Sequence, residues 1–352
     1  MMQIEKQLWA TTADGKEIYK ITLTNAQGNS ISLCDIGAGL VSVRVPDRNG
    51  RIDDVVLGYE DPLSYIGDGA CLGKIPGRFA NRIDSGKFSL DGKNYQLVLN
   101  VCENRHHLHG GPNGFQNQIW DWKIEGEKVI FKYVSVDGEA GYPGTLTAVA
   151  AYTWDDENRL SLELSATTDK PTILNMTNHT YFNLNGAGNG NIFQHDLKLF
   201  CDYYLGTTDD IITTGELISV KDTPMDFSEK KSLGRDIKED YFPLVIGKGY
   251  DSCWCINGFE TRKLRPAAVL SSEASGRKVE VFTTQPGLQV YTGNWLTGSP
   301  MGRDGKVYED YDGVSLECQA FPNSPNVPSF PNTVVRPGEE YKELIQFKFS
   351  EL

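Results

Sequence analysis

Val129-Ile130-Phe131-Lys132-Tyr133-Val134-Ser135-Val136 alternates its side chains between two faces and runs straight into Asp137-Gly138. Successive side chains of a strand point to opposite faces, so this run reads as a strand. The Asp-Gly pair supplies the positive-φ residues that a tight hairpin turn requires. The same two signals recur in both directions along the chain. Alternating runs occupy Lys20–Thr24, Val41–Val45, Leu160–Ser165, Lys278–Val281 and Leu344–Phe349. Turn pairs fall at Asp14-Gly15, Asn49-Gly50, Asp91-Gly92, Asn257-Gly258 and Asp304-Gly305. With 36 glycines, 16 prolines and almost no helical periodicity, the chain is predicted to be all-β, one large sandwich-like domain over residues 1–352. One short helix is expected over Ser232–Asp240, capped by Ser232.

Hydrophobic residues make up 39% of the chain and charged residues 23%, the balance of a soluble globular protein. The formal net charge of −13, with no basic stripe, argues against a nucleic-acid partner. The first twenty residues contain no apolar signal-peptide core, and no apolar run is long enough to cross a membrane. Seven scattered cysteines, an odd number, are read as reduced, and a cytoplasmic location is expected.

Four patches carry chemistry-bearing residues. In Leu174-Asn175-Met176-Thr177-Asn178-His179-Thr180-Tyr181-Phe182-Asn183-Leu184, a single histidine sits among hydroxyl and amide side chains. Such a network can fix the imidazole tautomer and aim its free nitrogen at a substrate, or its polar residues can simply satisfy one another along a strand. Gly73-Lys74-Ile75-Pro76-Gly77-Arg78-Phe79-Ala80-Asn81-Arg82-Ile83 suits a loop that presents donors to ligand oxygens, or an arginine pair in salt bridges. Asn104-Arg105-His106-His107-Leu108-His109-Gly110-Gly111 holds three of the five histidines. No further ligands follow at zinc spacing, so no metal is expected, and His109 is the member placed in a pocket. Glu317, in Gly313-Val314-Ser315-Leu316-Glu317-Cys318-Gln319, stands in an uncharged run, a setting that raises a carboxyl pKa.

Together these patches resemble the aldose 1-epimerase (galactose mutarotase) family over nearly the whole chain. The matching pieces, in the family's order, are residues 77–83 (GRFANRI), 108–111 (LHGG), 175–184 (NMTNHTYFNL), 249–251 (GYD), 291–294 (YTGN) and 313–317 (GVSLE). The resemblance implies a large antiparallel β-sandwich with a sugar cleft, and interconversion of the α- and β-anomers of free hexoses such as D-galactose and D-glucose. It implies His179 as general acid, Glu317 as general base and His109 in support. Asn81, Arg82, His109, Tyr181, Asp251 and Gln289 would contact the sugar. Departures from the family pattern are Gln116 and Asn117 in place of an acid and a lysine, Ser252 and Cys253 in place of His-Asn, and Ala320 in place of a histidine.

The chemistry is intelligible without the family. Opening a pyranose requires removal of the anomeric hydroxyl proton while the ring oxygen gains one. A carboxylate and an imidazole on opposite sides can do both, with no cofactor. Competing readings are a non-catalytic sugar-binding β module, a glycoside hydrolase using Asp251 with Glu317, and a mutarotase of a phosphorylated hexose. A free aldohexose is the expected partner, and the chain is expected to be a monomer or homodimer.

Overall fold

The computed structural model describes residues 2–352. All six alternating runs are strands, lying within Glu17–Thr24, Gly39–Pro46, Lys128–Ser135, Arg159–Thr168, Arg277–Thr283 and Tyr341–Glu351, save that Val136 falls one residue past its strand's end. Each of the six turn-pair glycines has positive φ, between 66° and 86°. Asp91-Gly92 is the tightest case, a two-residue link between Lys87–Leu90 and Lys93–Gln96 in which both residues have positive φ.

Three large sheets form the architecture, and every named strand pair among the described residues is antiparallel. A nine-stranded sheet runs in the order Asp121–Glu125, Lys128–Ser135, Leu146–Trp154, Arg159–Thr168, Tyr341–Glu351, Arg277–Thr283, Arg265–Ser272, His195–Leu199, Lys231–Ser232. A six-stranded sheet runs Tyr181–Phe182, Val314–Gln319, Gly287–Tyr291, Asp251–Ile256, Cys201–Thr207, Thr213–Ser219. A five-stranded meander, from Gln3–Thr11 to Ile52–Asp54, makes the third. One continuous apolar core joins them, with Ile21 and Leu33 from the meander, Phe131, Leu162 and Phe347 from the large sheet, and Trp254, Leu288 and Leu316 from the six-stranded sheet.

The six-stranded sheet positions the site. Val314–Gln319 is buried on both faces. Val314, Leu316 and Cys318 enter the core, so period two sends Ser315, Glu317 and Gln319 to the other face. On the neighbouring strand Leu288 and Val290 face the core, leaving Gln289 and Tyr291 beside Glu317 and Ser315. Asp251 opposes Tyr291 on the next strand. Each fully buried Leu or Val contributes roughly 1.5–3 kcal/mol, so a one-residue slip that turned this polar face inward is strongly disfavoured.

The expected helix over Ser232–Asp240 does not form. Leu233 and Gly234 donate instead to the His195 and Phe193 carbonyls, continuing the edge that Lys231–Ser232 adds to the large sheet. Gly234 also packs on Phe193, where an added Cβ would come within 2.6 Å of that residue's Cβ. The α-helix lies just beyond, at Phe242–Gly247, with Pro243 in its first turn and Lys248 closing it in the left-handed region. No helix among the described residues is long and apolar enough to cross a membrane.

Candidate active site

A cleft of about 200 Å³ opens at the polar face of the six-stranded sheet. Asn81, Arg82, His109, His179, Tyr181, Asp251 and Glu317 all line it, together with Tyr291 and Trp295. Gln289 reaches it through Asp251, whose Oδ1 accepts the Gln289 amide at 2.6 Å. Arg82 faces the other oxygen of Asp251 at 3.8 Å. Tyr291 figures in the sequence only within the 291–294 motif piece, and Trp295 stands just past it. Tyr291 was legible by period two from Gln289, whereas Trp295, 63% exposed, lies past the strand's end.

Asn81, Arg82 and His109 come together on a small ribbon. Arg82 pairs with Leu108 and Ile83 with His107. The Asn81 amide donates to His109 Nδ1 at 3.1 Å, and the His109 amide donates back to the Asn81 carbonyl at 3.2 Å. Gly110 lets this ribbon close, since a Cβ there would sit 1.7 Å from the Gly77 carbonyl oxygen. The other two histidines of the cluster turn away. His106 lies against Asp84 and Asp210, and buried His107 is held between the Val98 carbonyl and the Tyr142 hydroxyl. Arg78 likewise serves neither a ligand nor a salt bridge: it is buried, and its guanidinium donates to Ser135 and to the Pro143, Ser135 and Val136 carbonyls.

His179 sits on an irregular segment clipped to residues 73–74. Its amide donates to the Lys74 carbonyl and its carbonyl accepts from Gly73, both at 2.9 Å. The flanking amides do not bind the imidazole. Asn178 donates to the Gly73 carbonyl, Asn175 to Ala80 and Ala320, and Asn183 to Gly190 and Asp312. Thr177 and Thr180 hydroxyls and His179 Nδ1 have no partner in the protein, so the polar side chains neither bind the ring nor satisfy one another, and the amides instead tie the segment to the backbone.

His179 Nε2 lies 3.5 Å from Glu317 Oε1, and both side chains are buried. Glu317 Oε2 is buried and unpartnered. Burial pushes the Glu317 carboxyl well above its ordinary range; the Asp251 charge adds to this, and Arg82 opposes it. Burial pulls the His179 imidazole down to about 4 and also holds His109 well below its usual value. The apolar surroundings therefore disfavour charge on acid and base alike.

His109, His179 and Glu317 bring ligand-type atoms within 4.8 Å of one another. The donor set does not suit a metal. His109 Nδ1 accepts a backbone N–H, so in the neutral ring Nε2 carries the proton and offers no lone pair. Two donors remain, fewer than the three or four a zinc site uses.

The family model described as "Aldose 1-epimerase" matches residues 19–348. The chain belongs to the aldose 1-epimerase family. It is 39% identical to the galactose mutarotase of Bos taurus over 320 residues, 91% of each chain. It is 36% identical to the aldose 1-epimerase of Escherichia coli K12 over 343 residues, 97% of each. The crystal structure of galactose 1-epimerase from Lactobacillus acidophilus superposes with a TM-score of 0.87 at 28% identity, covering 100% of this chain and 99% of that one. None of the five departures from the family pattern lines the cleft. Gln116 and Asn117 bond to nearby loops, Ser252 and Cys253 continue the strand behind Asp251, and Ala320 is tied by both backbone groups to Asn175.

Proposed function

We propose that this member of the aldose 1-epimerase family interconverts the α- and β-anomers of free hexoses, with His179 as general acid and Glu317 as general base. The observation that carries the reading is the 3.5 Å separation of His179 Nε2 and Glu317 Oε1 at a cleft with room for one small polar molecule. The two oxygens that exchange protons in ring opening are bonded to the same carbon. An acid and a base side by side serve them, rather than groups across the ring.

Glu317 takes the O1 proton as the C1–O1 double bond forms. The C1–O5 bond breaks, its electron pair stays on O5, and O5 takes a proton from His179. Rotation about C1–C2 turns the aldehyde over, and reclosure runs the same transfers backwards. The two groups share one proton throughout. Because burial penalises the charged form of each, that proton rests between a neutral carboxyl and a neutral imidazole until sugar hydroxyls and Arg82 favour the carboxylate.

Asn81, Arg82, His109, Tyr181, Asp251 and Gln289 would hold the ring hydroxyls and retain the open form. His109 would donate through Nε2. Both Asp251 oxygens are already engaged by Gln289 and Arg82, which favours an orienting role over that of a second hydrolytic carboxylate. Arg82, the one Lys or Arg of the lining, already faces that carboxylate, which favours a free sugar over a phosphorylated one. The whole chain would act as one domain, as monomer or homodimer, and its seven unbridged cysteines support a reducing, cytoplasmic setting.

Polarimetry tests the reading. Freshly dissolved α-D-galactose or α-D-glucose should relax faster with the protein present, and a methyl glycoside, which has no anomeric hydroxyl, should remain untouched. Unchanged relaxation would refute the proposal, and release of free sugar from the glycoside would favour hydrolysis.

A further inference from the structure

Lys74 was legible in the sequence only as one member of a donor-rich loop. Its side chain is fully buried and ion-paired with the equally buried Asp68. The ammonium also donates to the Tyr65 carbonyl and to Asn117 Oδ1, at 3.3 Å, which uses all three of its protons. Asp68 is engaged just as fully, its second oxygen accepting from the Tyr59 hydroxyl at 3.1 Å and the Leu72 amide at 3.0 Å. Asn117 stands where the family pattern has a lysine, and the ammonium beside it comes from Lys74 instead.

The pair closes a loop that serves the cleft. Gly69, Ala70 and Cys71, between the two partners, form part of its wall. The loop backbone meets the histidine segment at four points. The Ala70 carbonyl accepts from the Tyr181 hydroxyl and the Gly73 carbonyl from Asn178, while the Gly73 amide and Lys74 carbonyl bracket the His179 peptide, all at 2.9 Å. Gly73 is needed for this approach, because a Cβ there would lie 2.0 Å from the Leu40 carbonyl oxygen.

We propose that Asp68–Lys74 is a positioning pair for His179, fixing the imidazole against Glu317 through the loop it closes and acting on its proton through the ammonium's field. The inference rests on the anomer-interconverting reading above. After burial, the Lys74 charge is a further cause that lowers the His179 imidazole. The other groups facing the ring are Glu317 at 3.5 Å and the rings of His109, Tyr181 and Tyr291 at centroid distances of 5.3, 5.1 and 6.3 Å. Cys71, in the wall, feels Lys74, Asp68 and Glu317, while Asp251 and Arg82 act on Glu317. None of these is a cation placed to substitute for Lys74 on the loop side.

The test uses two variants of the full chain. Asp68→Asn with Lys74→Met keeps the shapes and leaves no unpaired buried charge. Asn117→Asp keeps the pair and adds a carboxylate beside the ammonium, offsetting its field. A nearby cation opposes proton uptake by the His179–Glu317 pair, so weakening its field raises both apparent pKa values. The pH–rate bell of Asn117→Asp should shift toward higher pH. The double variant removes a cation and an anion together and tests position, so its kcat should fall about ten- to a hundredfold with little change in KM. Unchanged kcat in the folded double variant, or an unmoved bell in Asn117→Asp, overturns the inference. If the double variant does not fold, the bell of Asn117→Asp decides alone. Unmodified protein that leaves sugar rotation unaffected defeats the functional reading instead, which separates the two failures.

Discussion

Gln289 and Glu317 stand directly opposite each other on adjacent antiparallel strands, and Gln289 spends its amide on Asp251 rather than on the glutamate. Glu317 therefore has a cross-strand neighbour that fixes its place without occupying its lone pairs. Its Oε2 stays free in a buried setting, the condition for a group that must take and return a proton.

Because the His179–Glu317 pair works with one shared proton, the pH–rate profile should be bell-shaped. Below the lower limb both groups are protonated and neither accepts. Above the upper limb both are deprotonated and neither donates. Initial rates by polarimetry across pH check this, and a rate that rises without a second limb would require a different base or acid.

Arg82→Ala and Asn81→Ala should act mainly on binding. A lost hydrogen bond to a charged group is worth about 1.5–3 kcal/mol, so KM for Arg82→Ala should rise roughly ten- to a hundredfold. Near-zero turnover at unchanged apparent affinity would mean that the acid or base has been misassigned.

Activity should survive exhaustive dialysis against chelator, since His109 spends its one acceptor nitrogen on Asn81. Loss of activity that one divalent ion restores would contradict that tautomer and the donor count built on it.

Stability should decline as pH falls through the histidine range. Burial holds both His107 and His195 down at about 4, so the folded state resists protons that the unfolded chain accepts near 6.5. Each contributes stability that is present above about pH 6.5 and is lost progressively toward about pH 4, of order 3 kcal/mol each at roughly 1.4 kcal/mol per pH unit. Urea denaturation at stepped pH measures this. His195→Gln should flatten the slope, and an unchanged slope would show that His195 is not among its sources.

The strands were legible because alternation and Asp-Gly or Asn-Gly turns are local signals, and every one of the six turn glycines adopts the conformation expected of it. The helix was placed ten residues too early, at Ser232 rather than Phe242, because Ser232 resembles a cap, while the contacts that claim Leu233 and Gly234 come from His195 and Phe193, close in space but about forty residues back along the chain. The cleft residues were legible as motif pieces, and period two linked Gln289 to Tyr291. Arg78 and Arg82, four residues apart in one motif, part company because only the three-dimensional path buries Arg78 among carbonyls. Lys74 escaped for the same reason, since nothing local marks a lysine whose partners are Asp68, Tyr65 and Asn117.

The central claim is tested most directly by Glu317→Gln, which keeps the side chain's size but cannot accept the anomeric proton. Turnover of α-D-galactose by polarimetry should fall by about 10²–10⁴-fold, while galactose binding by calorimetry stays within about tenfold, or 1.4 kcal/mol. The His179→Asn change should do the same, and the double variant should cost little more than the worse single one. A folded Glu317→Gln protein turning over at a near-normal rate would contradict the account and make Asp251 the next base to examine.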